Sequence, residues 1–300
     1  MQPALHGILI LDKPPGLSSM QAVSRIKRAL KVKKAGHTGT LDPMATGVLP
    51  ICIGQATRIA QFLLASDKFY RATMKLGQST DTDDKEGTVL EERDVPNDIT
   101  LEQLEQIFDD YRGTISQRPP IYSALKVNGK RAYALAREGK EVVLQPREVT
   151  VHQLDIESFH GDEIVFSCRV SKGTYIRSLI RDIGEQLGTL AHMTALERTR
   201  VDTYTLSQAL SLDAVKASPE DAKKTLIPLA KALSHLPALP SEEEDLRLIS
   251  NGQIPYSFPP PKEDASGPHM ILRTDGTLLA LVEPKHNTWK LIRVFPPAQS

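Results

Sequence analysis

An aspartate in a loop rich in glycine and threonine is the first candidate for chemistry. The loop reads GHTGTLDP over residues 36–43, so Asp42 precedes a proline. Glycines permit backbone shapes that other residues resist, and the proline favours an extended Asp42. A carboxylate held this way can act as a nucleophile, although an aspartate in such a setting commonly caps a turn. The loop lacks the GxxxxGK(S/T) pattern of a phosphate loop, so the octet alone leaves catalysis and turn capping open.

The elements that must position this loop mix strands with helices. An apolar run at 7–11 predicts a strand, and Ser18-Ser19 favours the start of a helix. Further strands are predicted at 47–53, 68–76, 149–159, 163–171 and 192–205, and helices at 55–64, 100–108 and 176–187. Interspersed elements joined by short turns predict an α+β fold, in which flanking helices pack on a mixed, mainly antiparallel sheet.

The C-terminal tail differs in composition from the rest of the chain. It opens near Leu239 with a proline and an acidic run, and it contains further prolines at 255 and 259–261. Short strands are predicted at 269–273, 278–283 and 290–295. We therefore predict a larger domain over 1–238, with a basic insertion at about 118–147, and a small β-rich domain over 239–300.

Bulk composition restricts the class of protein. Of the 300 residues, 40% are hydrophobic and 25% are charged, which is typical of soluble globular proteins. No apolar run approaches the length of a membrane span, and the apolar N-terminal stretch lacks the basic flank and cleavage site of a signal peptide. Cys52 and Cys168 lie in apolar runs and are typical of buried reduced thiols, which predicts a cytoplasmic protein.

Charge is balanced overall but unevenly distributed. A net charge of zero by itself argues against nucleic-acid binding. Basic side chains nevertheless cluster in two stretches, at Lys13, Arg25, Lys27, Arg28, Lys31, Lys33 and Lys34, and at Lys126, Lys130, Arg131, Arg137 and Lys140. A polyanion would meet basic patches there, and solvated helix faces are the alternative interpretation.

Several sequence blocks together resemble one family. The stretch GHTGTLDPMATGVLPICIGQATR resembles the signature of the TruB-type tRNA pseudouridine synthases, which act on uridine 55 in the T loop of tRNA. Further resembling blocks follow the family's order, at 7–19, 67–87, 118–139, 170–188 and 191–204. The tail resembles the small PUA-like RNA-binding domain of that family by position and strand content only.

The resemblance implies roles for individual residues. Asp42 is implied to be the essential carboxylate, and Arg177 its ion-pair partner. Tyr70 is implied to stack on the target uracil and to handle a proton, while His37 enters the T loop. Substrate contacts are implied for Tyr175 and Leu196, which line the pocket, and for Lys13, Tyr122, Lys126, Lys130 and Arg131, the last four on a thumb-like insertion. Without the family, Arg177 is better interpreted as a surface arginine and Leu196 as core.

The implied reaction is an isomerisation that needs no cofactor. The N1–C1′ bond of uridine breaks and C5 bonds to C1′, so no electrons enter or leave, and we predict no metal, redox cofactor or nucleotide. The expected partner is the T arm of tRNA, bound by a monomer. Burial under the flipped base would raise the pKa of Asp42, and a neighbouring arginine would offset that rise. Attack at C1′, attack at C6 and elimination through a glycal all remain open.

Two alternatives belong to other functional classes. The basic patches and the small C-terminal domain would equally serve a non-catalytic RNA-binding or tRNA-folding module. A hydrolase that cleaves nucleosides through Asp42 is the other alternative. Most glycosidases use two carboxylates, and no second acid in the matched blocks has an evident role.

Overall fold

The protein is described by a computed structural model. It covers residues 5–64, 66–123, 125–127, 129–132, 135, 138, 142–242, 244–255 and 258–295. Within these ranges no helix is long and apolar enough to cross a membrane.

Strands supply most of the framework. In chain order they are β1 (Gly7–Lys13), β2 (Ala35–His37), β3 (Thr46–Ile53), β4 (Lys68–Leu76), β5 (Gln78–Thr80), β6 (Val89–Glu92), β7 (Gly113–Gln117), β8 (Lys126–Val127), β9 (Lys130–Arg131), β10 (Arg147–His160), β11 (Glu163–Val170), β12 (Ala191–Val201), β13 (Tyr204–Thr205), β14 (Leu210–Ser211), β15 (Ala238–Pro240), β16 (His269–Leu272), β17 (Leu278–Lys285) and β18 (Thr288–Val294). The predicted strands are confirmed in place, with shifted ends. The acidic stretch after β4 contains the β5–β6 hairpin.

Helices are fewer and mostly short. They are α1 (Ser19–Ala29), α2 (Ala60–Leu63), α3 (Leu101–Asp110), α4 (Ile176–Leu187), α5 (Leu212–Ala217), α6 (Pro219–Lys224), α7 (Leu229–Ala232) and α8 (Asp245–Ser250). Capping boxes start α1 at Ser18 and α3 at Thr100. The predicted helix at 55–64 is instead a 3-10 turn at Gly54–Arg58 followed by α2.

The larger sheet has the order β14-β1-β3-β12-β4-β11-β10-β7, with β2 added to β3 and β13 added to β12. Its pairs are antiparallel except β1–β14 and β3–β12. The prediction of a mixed, mainly antiparallel α+β fold is therefore confirmed. The short parallel contact places Arg198 of β12 against Gly47 of β3, immediately beyond the Asp42 loop.

Both faces of this sheet are buried, as alternation along β1 shows. Leu9 and Leu11 pack into the core cluster beneath α1 and α4. Ile8 and Ile10 point to a second cluster on the opposite face, which includes Leu281. Full burial of each such side chain contributes about 1.5–3 kcal/mol. β1 therefore contributes to the hydrophobic clusters on both faces of the sheet.

The C-terminal strands form a separate four-stranded sheet with the order β15-β16-β17-β18. It begins at Ala238, next to the predicted domain boundary, which stays a prediction. Phe295 joins this sheet to the second cluster of the larger domain. The Arg58 guanidinium lies 5.1 Å from the Phe295 ring centroid and donates to the Val294 carbonyl at 2.7 Å. Apolar packing and one arginine thus connect the two sheets.

Candidate active site

The Asp42 loop is held by hydrogen bonds on both sides of the aspartate. The Ser19 hydroxyl donates to the Leu41 carbonyl at 3.0 Å and accepts from the Leu41 N–H at 2.8 Å. The Pro43 carbonyl accepts from the Gly16 N–H at 2.8 Å. Side chain and backbone of the β1–α1 region therefore fix the residues that flank Asp42, and fixed neighbours limit the positions of its carboxylate.

Lys13 holds the same loop through hydrogen bonds to backbone carbonyls. Its side chain is fully buried, and its ammonium donates to the carbonyls of Pro14 at 2.9 Å, Leu17 at 2.8 Å and Pro43 at 3.2 Å. These contacts use its three N–H groups, and burial lowers the pKa of Lys13 to about 8. The arrangement favours a supporting role under the loop over the direct substrate contact that the resemblance implied.

Arg177, in the first turn of α4, faces the Asp42 carboxylate side-on. Its Nε lies 3.0 Å from Oδ2, and its Nη2 donates to Oδ1 at 3.1 Å. The same guanidinium contacts Asp84 Oδ2 at 3.4 Å through Nη1 and donates to the carbonyls of Thr82 at 2.8 Å and Tyr122 at 3.0 Å. The predicted Asp42–Arg177 pair is therefore present in the structure, with a second carboxylate on the other side of the arginine.

Burial governs the protonation of Asp42. It raises the pKa of that carboxyl above the ordinary value, and the neighbouring carboxylate of Asp84 adds to the rise. Arg177 and, more weakly, Lys13 oppose it. The side chain of Asp42 is still 27% exposed, whereas that of Asp84 is only 6% exposed. Of these two carboxylates, Asp42 is the one open to a ligand.

The remaining predicted pocket residues converge on Asp42 from three elements. Tyr70 on β4 and Leu196 on β12 are both buried, and both line the cavity that Asp42 opens into. Tyr175 immediately precedes α4 and lines the same cavity. The Arg147 guanidinium lies 4.9 Å from the centroid of its ring. Two aromatic rings, a leucine and a carboxylate thus share one cavity, an arrangement that suits a planar base.

This cavity has a volume of about 310 Å³, near the lower end of the range for small-ligand pockets. Among the described residues that line it, Asp42 is the acid, and the cations are Lys68, Arg147, Lys172, Arg177 and Arg198. Excess positive charge around one carboxylate attracts a polyanion. The cavity is therefore suited to a base attached to a phosphate backbone.

Comparison with known proteins identifies the family. Residues 27–176 match the TruB family pseudouridylate synthase (N terminal domain), and residues 177–234 match the tRNA pseudouridylate synthase B C-terminal domain. The chain belongs to the TruB family of pseudouridine synthases. It is similar to the tRNA pseudouridine synthase B of Aeromonas salmonicida, with 48% identity over 77% of this chain and 72% of the relative. The counterpart from Serratia proteamaculans is 42% identical over 91% of this chain and 88% of the relative.

Solved structures agree with the family assignment. The Cbf5-Nop10-Gar1 complex contains a chain with a TM-score of 0.70 and 28% identity, covering 97% of this chain and 85% of that chain. An H/ACA RNP bound to a substrate RNA containing 2′-deoxyuridine contains another, with a TM-score of 0.69 and 26% identity, covering 98% of this chain and 85% of that chain. This synthase is therefore an isomerase. Its family favours the pseudouridine synthase hypothesis over a non-catalytic RNA-binding module and over a nucleoside hydrolase.

Three residues in or near the synthase's cavity were not predicted from the sequence. Asp84 corrects the expectation that no second acid of the matched blocks has a role, because it shares Arg177 with Asp42. It does not line the cavity, so it does not supply the second accessible carboxylate of a glycosidase. Gln117 brackets Tyr175, donating to its carbonyl at 3.0 Å and accepting from its N–H at 2.8 Å. Arg198 lines the cavity itself. Residue type and spacing carried no signal for any of the three.

His37 lies outside the cavity, and the basic insertion is only partly covered by the described residues. His37 ends β2 at the start of the Asp42 loop; it does not line the cavity, and its Nδ1 is buried without a hydrogen-bond partner. Tyr122 does line the cavity. The predicted contacts of Lys126, Lys130 and Arg131 concern side chains outside the described part of the chain, although their backbones pair in the β8–β9 hairpin. Their roles in RNA binding stay predictions.

Proposed function

We propose that this synthase converts uridine 55 in the T loop of tRNA into pseudouridine and that Asp42 is its essential carboxylate. The observation that carries the proposal is the position of Asp42. Its carboxylate opens into a base-sized cavity while a buried arginine holds both of its oxygens. The relatives named tRNA pseudouridine synthase B support tRNA as the substrate.

Asp42 must be ionised to act on the ribose or the base. Arg177 opposes the effect of burial and so keeps the ionised form available. Because the guanidinium also donates to the Thr82 and Tyr122 carbonyls, it cannot rotate away from the carboxylate without breaking those bonds. Arg177 thus orients Asp42 as well as stabilising its charge.

The target uridine must leave its stack to reach this carboxylate, at a cost of a few kcal/mol. Stacking of a base on an aromatic ring recovers about 1–3 kcal/mol. Tyr70 and Tyr175 offer rings in the cavity, and Leu196 offers an apolar contact. We assign these three residues to holding the flipped base beside Asp42.

The phosphates of the T arm would meet the cations around the cavity mouth. Lys172 is exposed there, and Arg147 lies beside it against Tyr175. The basic insertion would close over the same arm. In this proposal the protein acts as a cytoplasmic monomer.

The test is nucleotide-resolution mapping of pseudouridine in a T-arm transcript incubated with the protein alone. We expect conversion at position 55 and unchanged RNA mass. Asp42→Asn should lower the single-turnover rate by at least about 10⁴-fold while leaving RNA affinity nearly intact. Asp213→Asn, on an exposed helix position away from the cavity, is the matched control and should behave like the parent protein.

Three results would contradict the proposal. Turnover by Asp42→Asn near the parent rate would remove Asp42 from the chemistry. Conversion only at other uridines would remove the T loop as the target. Release of free uracil would replace isomerisation by hydrolysis.

A further inference from the structure

Arg198 lines the cavity, and the contacts described so far do not explain why its positive charge is buried there. Its side chain is only 1% exposed, and among the described residues no carboxylate forms an ion pair with it. Buried arginines are almost always paired, because an uncompensated buried charge is costly. Arg177, by contrast, has two carboxylates within 4 Å. The burial of Arg198 without a carboxylate partner among the described residues therefore needs an explanation.

One part of the reason is the Asp42 loop. Arg198 donates to the carbonyls of Gly39 at 3.2 Å and Val48 at 2.8 Å, with a longer contact to Thr40 at 3.4 Å. Gly39 and Thr40 precede Asp42 in the chain, and Val48 follows it. The guanidinium therefore closes the loop at its base, complementing the anchor that Ser19 provides at Leu41.

The other part is Tyr70. Arg198 and Tyr70 are directly opposed residues of the antiparallel strands β12 and β4. The guanidinium lies close enough to the tyrosine hydroxyl to lower the pKa of Tyr70. Both side chains line the cavity. Arg198 thus connects the loop that carries the carboxylate with the aromatic residue that faces the base.

The reaction itself needs a proton carrier at this position. Uridine has a hydrogen on C5 and none on N1, whereas pseudouridine has one on N1 and none on C5, so one proton moves from C5 to N1. Turning the base about its N3–C6 axis exchanges the positions of N1 and C5. A single fixed group beside N1 before the turn therefore stands beside C5 after it.

We propose that Arg198 is a positioning residue for this reaction, holding the Asp42 loop and stabilising the Tyr70 oxygen while that oxygen carries the proton between N1 and C5. The inference rests on the proposed function. When N1–C1′ breaks, N1 retains the bonding electron pair and takes the hydroxyl proton of Tyr70. After the turn, the C5=C6 electron pair forms the bond from C5 to C1′, which lost its bonding pair when N1 departed. The phenolate then removes the C5 proton, and the C–H electron pair restores the C5=C6 double bond.

The charges around Tyr70 agree with this role. Burial raises the pKa of Tyr70 above its ordinary value, and the Asp42 carboxylate and Cys168 on β11 act in the same direction. Arg198 opposes them by charge and by hydrogen bonding. Without Arg198, the tyrosine would give up its proton less readily. The positive charge of Arg198, which has no carboxylate partner among the described residues, therefore stabilises the Tyr70 phenolate that exists only during the reaction.

Single-turnover rates on the T-arm transcript test the coupling. Arg198→Met should lower the rate by about 10²–10³-fold, with little change in RNA affinity, and Arg198→Lys should recover part of that loss. In a Tyr70→Phe background, Arg198→Met should cost less than about 10-fold, since only the contacts of Arg198 with the Asp42 loop are then left to lose. Ser19→Ala is the matched control for loop anchoring, because it loosens Leu41 without touching Tyr70.

Replacement of Tyr70 by 3,5-difluorotyrosine separates acidity from loop support. The more acidic phenol should restore part of the rate of Arg198→Met and none of the rate lost in Ser19→Ala. In the RNA-free protein, the ¹⁹F signal of this residue should show ionisation at higher pH in Arg198→Met and at an unchanged pH in Ser19→Ala. The ¹⁹F measurement does not depend on activity.

Failure of this inference is distinguishable from failure of the proposed function. If the parent protein converts uridine 55 but difluorotyrosine restores nothing, or the ¹⁹F ionisation does not move, Arg198 acts only on the loop and the proton role is overturned. If the parent protein converts no uridine in the T arm, the proposed function fails and takes the proton step with it.

Discussion

Arg177 and Arg198 line the same cavity from different elements, and the cavity treats their charges differently. Arg177, on α4, has two carboxylates within 4 Å, so its charge is balanced before any ligand arrives. Arg198, on β12, donates to backbone carbonyls and faces a neutral tyrosine. Both side chains are almost fully buried, so exposure does not account for the difference.

Under the proposed function, this difference divides the work of the site between the ground state and the reaction. The balanced wall, formed by Arg177, Asp42 and Asp84, orients a carboxylate before the substrate binds, and Arg177 opposes the rise in the pKa of Asp42 that burial causes. The unbalanced wall, formed by Arg198 and Tyr70, has positive charge to spare for negative charge that develops later. Stabilisation of developing charge by fixed groups lowers a reaction barrier more than uniform binding does.

The largest expected effect comes from breaking the balanced wall. Arg177→Lys retains the positive charge but loses the planar fork that spans both Asp42 oxygens and two carbonyls. We expect the single-turnover rate to fall by about 10²–10³-fold. Arg181→Lys is the matched control, because Arg181 lies one turn along α4, pairs with Asp83 and Asp182, and does not line the cavity. Equal losses in both variants would contradict the special role of Arg177.

The next effect distorts the unbalanced wall through its backbone. Gly47 has φ +100°, and a Cβ there would collide with the Arg198 carbonyl oxygen. Gly47→Ala should lower the free energy of unfolding by about 2–4 kcal/mol in a denaturant titration. Gly16 also has a positive φ, of +77°, but a Cβ added there would meet no other atom within 4 Å, so Gly16→Ala should cost about 1 kcal/mol. Similar losses would show that strain alone, and not the close approach of β3 and β12, requires the glycine.

A smaller effect unbalances the paired wall without moving it. Asp84→Asn removes one of the two carboxylates on Arg177 but keeps an oxygen that can accept from Thr82 and from the Glu86 N–H. The single-turnover rate should fall by about 10-fold, because Arg177 is then less firmly held. Asp83→Asn, at the carboxylate that pairs with Arg181, is the control. An unchanged rate in Asp84→Asn would mean that Asp42 alone balances the arginine.

The smallest effect is a displaced titration. Burial raises the pKa of Asp42, so its carboxyl should titrate above the ordinary value of 3.8 in ¹³C NMR of labelled protein, with Asp42→Asn assigning the signal. The folded state then holds the proton more tightly than the unfolded state. This linkage stabilises the fold below pH 3.8, and the stabilisation is lost as the pH rises from there through the folded pKa. A midpoint at or below 3.8 would show that Arg177 outweighs burial.

Local sequence patterns foresaw much of the framework. A continuous apolar run predicted β1 and alternating apolar residues predicted β4, and the cap signals at Ser18 and Thr100 predicted where α1 and α3 begin. Such patterns are reliable because strand periodicity and capping depend on residues close together in the chain. The short helices α5 to α7 were missed because they have too few turns to show a periodicity.

The sequence by itself identified the family and the Asp42 loop and proposed Tyr70, Tyr175, Arg177 and Leu196 as pocket residues, because these are carried by ordered blocks of residues. Only the tertiary structure decided that Lys13 lies beneath the loop, that Asp84 shares Arg177, and that Arg198 faces Tyr70. The Arg198 contacts join residues about 150 positions apart. Strand register, not spacing along the chain, brings them together, and burial then decides which of their charges must be paired.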